Sequence, residues 1–324
     1  MIRKSKVQSP RSKVPSWGLK NGVPRCLSFC NSQFAIRNSA AFTLVEVMVV
    51  AAMLVLIVLA LMTVFNGTQT AFRAGITQTD VLESGRAVSD LIKSDLEGMT
   101  PSYGVSNVTV NFYMNTNLGY TPLIQPLPGG TQPRSYVLEN FFILTRQNRT
   151  WTGVGYVVDT SSSSPINPLY RFSMSTNVMA ADPVVLFNIF TNFVATSAFT
   201  NMSHLVDGVV NLRVRAYDTN GYWMTNTTEI YGGQFVTNRN VLFSAPVLGE
   251  VGFYMYSNTV PASVEMELDV LEDRTLQRAE SLPNNVPVPP PLDRRTLYLQ
   301  DHAGQVHVFR QRAWIRNVDP SAYQ

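Results

Sequence analysis

Side chains able to do covalent or metal chemistry are scarce in this sequence: three histidines (His204, His302, His307) and two cysteines (Cys26, Cys30) among 324 residues. His302 and His307 flank Gly304 without a third ligand, and Cys26-x-x-x-Cys30 has no second Cys or His cluster to complete a zinc or redox site. His204 stands alone before a strand-like run and reads as structural. Asp218-Thr219-Asn220-Gly221 opens like a calcium loop but lacks the later acidic ligands, so it reads as a turn. No G-x-S-x-G, H-E-x-x-H or P-loop pattern occurs, and Lys93 is the only lysine beyond residue 41. Trp151, Trp223 and Trp314 sit among aromatic residues at β spacing, which reads as core or cross-strand packing. These residues imply no catalytic site, no metal site and no cofactor, and the chain is not expected to be an enzyme.

One carboxylate stands out by its surroundings. Glu46 interrupts an apolar stretch from Phe42 to Phe65 whose only other polar members are Thr43 and Thr63. As a helix these residues rise roughly 36 Å, enough for a hydrocarbon core of about 30 Å. A carboxylate inside such a helix costs roughly 2.5 to 3.5 kcal/mol at the bilayer centre and less near the interface, so it marks a function.

Charge orients the segment. Residues 1–41 hold eight basic side chains and no acidic one. All eight lie before the apolar run, so the positive-inside rule keeps the front cytoplasmic and exports everything after Phe65. The formal net charge of +3 comes from this front: without its eight basic residues, 17 remain against 22 acidic ones, a net of −5. A chain trimmed there is acidic and thiol-free, which removes the electrostatic basis for a nucleic-acid partner. The small residues Ser39-Ala40-Ala41 precede the apolar run, the reverse of a conventional secretory signal, where the cleavage site follows it.

The segment Ala41-Phe42-Thr43-Leu44-Val45-Glu46 with the apolar run behind it resembles the processing and assembly motif of type IV prepilins and type II secretion pseudopilins. The resemblance implies a basic leader over 1–41, cleavage between Ala41 and Phe42 by a prepilin peptidase, and N-methylation of Phe42. Ala41 departs from the family pattern, which has Gly there. Cleavage creates a cationic amine at Phe42, and a neighbour in a filament can set that amine against Glu46, each charge offsetting the other's desolvation. The implied partners are the peptidase, other pilins or pseudopilins of one filament, and inner-membrane lipid. The implied location is a single pass through the inner membrane, with the C-terminal domain periplasmic or outside.

Further along, Leu82, Val88, Leu91, Ile92, Leu96 and Met99 recur at helical spacing, and Gly98 and Pro101 close the run. Residues 42–99 therefore predict one long helix, membrane-spanning over 42–65 and amphipathic over 66–99, with a bend near Gly67 or Gly75. From 102 to 324 the texture changes to short β-type runs. Examples are Val108–Phe112, Val154–Val158, Leu169–Phe172, Val210–Ala216, Val264–Val270 and Val306–Ile315. In Val264–Val270 the alternation predicts apolar residues in a core and Glu265, Glu267 and Asp269 in water. Pro283 to Pro291, with five prolines, predicts an extended exposed segment. The expected fold class is α+β, a long hydrophobic N-terminal helix packed on a mostly antiparallel sheet domain.

This larger part is similar, more loosely, to the J-type minor pseudopilin. The matching pieces are Arg86-Ala87-Val88 to Asp95-Leu96, Leu169-Tyr170-Arg171, Val206–Val209 leading to Asp218–Trp223, and Val260-Pro261. A minor pilin of a type IV pilus, for adhesion or DNA uptake, stays open beside it, as does a pilin-anchored exported binding domain or enzyme.

Overall fold

The computed structural model describes residues 43–323 apart from 106–107, 118–119, 121, 127–132, 162–164, 178, 180–181, 226–229, 232–233, 236–239 and 284–293. The 1–41 leader, Cys26, Cys30, Ala41, Phe42 and most of the Pro283–Pro291 segment lie outside the described residues. The chain divides into two compact units, Met1–Met62 and Thr63–Gln324.

Helix α1 runs from Leu44 to Glu97. Its first turn is a capping box: the Glu46 amide donates to Thr43 Oγ1 and the Thr43 amide donates to Glu46 Oε2, both at 3.3 Å. Two of the amides that a helix start leaves without intrahelical partners are thereby satisfied. Every residue from Thr43 to Arg73 is exposed. The helix is long and apolar enough to cross a membrane. It continues unbroken through Gly67 and Gly75. It closes at Gly98, whose amide donates to the carbonyl oxygens of Ser94 and Asp95.

The strands follow: β1 (Val110–Thr116), β2 (Ile124–Gln125), β3 (Arg134–Ser135), β4 (Glu139–Gln147), β5 (Thr150–Val158), β6 (Asn167–Asn177), β7 (Ser203–Tyr217), β8 (Ile230–Tyr231), β9 (Gln234–Phe235), β10 (Val241–Phe243), β11 (Phe253–Tyr256), β12 (Ser263–Leu271) and β13 (Val306–Trp314). Nine of them form one antiparallel sheet in the order β10-β11-β1-β4-β5-β6-β7-β12-β13, while β2-β3 and β8-β9 are small ribbons. With α1, this makes the protein α+β. Three shorter helices, α2 (Val184–Ala195), α3 (Asp273–Glu280) and α4 (Arg294–Asp301), lie within the region that the sequence reads as β-rich.

Strand β7 explains the curl of the sheet. Its first half pairs with β6 and its second half with β12, so past Val209 one edge loses its partner. The start of β4 fills that edge. The Leu212 amide donates to the Val137 carbonyl at 2.8 Å, and the Val214 amide donates to the buried carboxylate of Glu139.

One core cluster gathers Val81, Val88, Ile92, Leu96 and Met99 with Phe112, Phe141, Tyr156, Leu212 and Met266. Leu82 and Leu91, assigned by spacing to the apolar face, are 38% and 36% exposed, whereas Gly85 and Ser89 are buried. The reason is close approach: a β-carbon on Gly85 would lie 2.3 Å from the Phe309 ring. A second cluster lies under α2, where Gly153 and Gly155 of β5 leave room for Leu186 and Phe190.

Candidate functional site

The residues assigned to processing, Ala41 and Phe42, lie outside the described residues. Of the N-terminal set the structure describes Glu46, which is exposed and bonded through Oε2 to the amide and hydroxyl of Thr43. The box orients the side chain toward the start of the helix, where the backbone dipole favours a negative charge. Sequence reasoning saw Glu46 as a charge for a neighbour and passed over this local task, although T-x-x-E before an apolar run is its signature.

A second carboxylate of α1 is held very differently. Asp95 accepts Arg171 Nε at 2.8 Å and Nη2 at 3.1 Å, a bidentate pair, and the Tyr156 hydroxyl at 2.5 Å. Burial and then the Asp95 charge hold the Tyr156 phenol above its ordinary range. Burial lowers the Arg171 guanidinium, but Asp95 and then Tyr156 together outweigh it and hold it above its ordinary range. Asp95 and Leu169-Tyr170-Arg171 are separate pieces of the sequence, 76 residues apart at the ion pair, and only the fold brings them together.

The largest polar constellation lies on β7, β12 and β13. Glu265 stands opposite Arg215 and Arg312, Glu267 opposite Arg213 and Arg310, and Asp269 opposite Asn211. Cross-strand register thus places acids between arginines. The expectation that the three acids face water is corrected: Asp269 is fully buried, and Glu265 and Glu267 are partly covered. Arg134 of β3 lies over two of them, its Nη2 donating to Glu267 Oε1 at 2.7 Å and Asp269 Oδ2 at 2.8 Å, while Arg310 Nε donates to Glu265 Oε1 at 2.9 Å. Alternation shows which residues share a face, but not that a ribbon from another part of the chain will lie over it.

Burial pushes the Asp269 carboxyl up to about 7, with Arg134 opposing and Glu267 adding to the shift. Glu139 is held well above the carboxylate range by burial and then by Glu250. Perturbed carboxyls in a cluster are a mark of active sites, and of structural ion networks too. Here the described cavities are lined by none of Glu139, Glu250, Glu267 or Asp269. Glu250 is bound by Arg215 through Oε1 at 2.6 Å and Oε2 at 3.1 Å. Arg213 Nε lies 2.9 Å from Glu250 Oε1 as an ion contact, outside hydrogen-bond geometry. The arrangement braces the curled sheet.

Most of the remaining chemistry-bearing residues are engaged locally; the exception is His307 of β13, whose Nε2 is buried without a hydrogen-bond partner among the described residues. Asp218 Oδ1 accepts the amides of Asn220 and Tyr222 at 2.9 and 2.8 Å, so the calcium-like sequence spends its carboxylate on its own turn. His302 Nδ1 is 2.7 Å from the Tyr298 carbonyl oxygen, and His204 Nε2 is 2.9 Å from Asp207 Oδ1. Among the described residues no three His, Cys, Asp or Glu side chains are grouped to hold a metal ion. Trp151 is buried beneath Arg146, and Trp314 is exposed beside Arg312.

The chain matches no protein family, no curated protein and no solved structure.

Proposed function

We propose that this chain is a structural subunit of a pilus-type filament, cleaved between Ala41 and Phe42 and assembled through α1. The observation that carries the reading is the motif Ala41–Glu46 leading into a helix whose apolar residues are exposed from Leu44 to Phe65. Apolar residues on all sides of a helix need a membrane or other helices around them. In this reading 42–65 lies in the inner membrane before assembly, with the C-terminal domain on the far side. Residues 66–99 serve as a spine packed on the sheet domain.

Glu46 then has two successive tasks. Before assembly it closes the capping box with Thr43; in the filament it receives the methylated amine of Phe42 from a neighbour. The charge pair gains from the low dielectric between packed helices, where each partner offsets the desolvation of the other.

Within this class we favour a minor pseudopilin of a type II secretion system. Two pieces of the J-type resemblance, Asp95 and Arg171, make a bidentate pair, which supports treating them as parts of one pattern. The prepilin peptidase and the other filament subunits are the partners; no catalysis is assigned to the chain.

The test is co-expression with the matching peptidase followed by N-terminal sequencing. The expected product begins at methylated Phe42. A product beginning elsewhere, or an uncut chain, overturns the reading.

A further inference from the structure

A cavity of about 570 Å³ opens where β1 and β5 end and β4 begins, beside the C-terminus of α2. That volume is in the range of small-ligand pockets. Its lining is unlike the arginine-laced sheet edge: among the described residues no basic side chain contributes, and Asp159 is the one acidic residue. Three amides do contribute, Asn115, Asn117 and Asn140. Asn115 and Asn140 stand directly opposite each other across β1 and β4. Asn140 is fixed by accepting the Val158 amide on Oδ1 at 3.1 Å, and Asn117 by donating Nδ2 to Thr160 Oγ1 at 2.8 Å. Fixed amides offer donors and acceptors in set directions. Tyr113 and Phe199 add ring walls.

A fourth feature is a strained residue on the rim. Ser197 lines the cavity with φ +52°, in the left-handed region. It follows α2 where the Ala198 amide donates to the Phe193 carbonyl at 2.9 Å, the bond that closes a helix of this type and that glycine accommodates best. A serine kept there in place of glycine adds a hydroxyl at the cost of strain.

These groups discriminate among ligands. Among the described lining residues a phosphate or carboxylate ligand finds no cation, and a divalent metal finds a single carboxylate. A purely apolar ligand would cover the amides without pairing them, which costs free energy. A polyhydroxylated ring meets both kinds of wall: its hydroxyls pair with the amides and its C–H faces lie on the aromatic rings.

We propose that this cavity binds a neutral sugar, one or two rings of a glycan. The site is independent of the filament reading, since it needs neither cleavage before Phe42 nor assembly.

The experiment uses the full chain in a detergent without a sugar headgroup, titrated calorimetrically with N-acetylglucosamine, its β-1,4-linked dimer, maltose and cellobiose. At least one is expected to bind saturably. Asn115→Ala, at an exposed position, is expected to weaken that binding about tenfold. Ser197→Gly is expected to weaken it while raising the thermal midpoint, because the strain is relieved as the hydroxyl is lost. No saturable binding by any of the four sugars overturns the proposal, as does binding that both variants leave unchanged.

Discussion

Two of the six carboxylates of helix α1, Glu46 and Asp95, are treated in opposite ways. Asp95 is enclosed by its own chain, with Arg171 gripping both oxygens and Tyr156 donating a third hydrogen bond. Glu46 is exposed and, among the described residues, bonded to Thr43 alone. A charge whose partners come from the same chain contributes to folding. A charge left with only a local cap, in a helix apolar on every side, has its remaining capacity available to another molecule. The difference separates a part of the helix tied to the domain from a part that the proposed filament reading assigns to association.

The sharpest way to break that contrast is Asp95→Ala. It leaves Arg171 partly buried without its anion, and breaking such a pair is expected to cost about 3 kcal/mol, read as a lower urea midpoint for the full chain in micelles. A midpoint unchanged within about 0.5 kcal/mol would show that Asp95 is no more committed to the fold than Glu46.

Gly85→Val tests the same commitment through packing. The new side chain must enter the space held by the Phe309 ring, and overpacking of this kind is expected to cost about 2 kcal/mol. Gly75→Val, at a position where a β-carbon would meet nothing within 4 Å, is expected to change the midpoint by less than about 0.5 kcal/mol.

A third carboxylate extends the comparison to pH. Asp269 is raised from 3.8 to about 7 by burial, so the folded protein holds a proton that the unfolded chain has released. Its contribution is fully present below about pH 4 and is lost as pH rises toward about 7. Asp269→Asn is expected to flatten that part of the stability profile, measured by urea unfolding across the window. An unaltered slope would assign the pH dependence to other groups, such as Glu139.

Glu46→Ala has the smallest expected effect on the domain and the largest on assembly. Loss of the capping box is local, so the urea midpoint is expected to stay within about 0.5 kcal/mol of the parent. Insertion and cleavage continue, while incorporation into filaments, followed by pull-down with the other subunits, is expected to fall. Normal incorporation would show that the charge pair with Phe42 is unnecessary.

Much of this contrast is legible in the residues themselves. The apolar run around Glu46 is unmistakable because a long helix with no polar face is a composition, readable without contacts. The helix end at Gly98 and several strands, β12 and β13 among them, follow from local periodicity and turn chemistry. Helix α2 escapes because Val, Ile and Phe dominate it and suggest a strand. Its burial of Leu186 and Phe190 at i, i+4 is visible once Gly153 and Gly155 are seen to make room. In the apolar stripe of residues 81–99, Val88, Ile92, Leu96 and Met99 are buried as their spacing predicts, while Leu82 and Leu91 are exposed because the sheet selects the side bearing Gly85.

By itself the sequence determined the long apolar helix, its capping residues, the polarity of charge across it and the alternation of the strands, since each rests on neighbours within a few positions. Tertiary structure alone decided which carboxylates would be enclosed. Asp95 meets Arg171 and Tyr156, and Asp269 meets Arg134, only because distant strands are brought beside one another. A charge's surroundings depend on what is folded over it, and no local pattern encodes that cover.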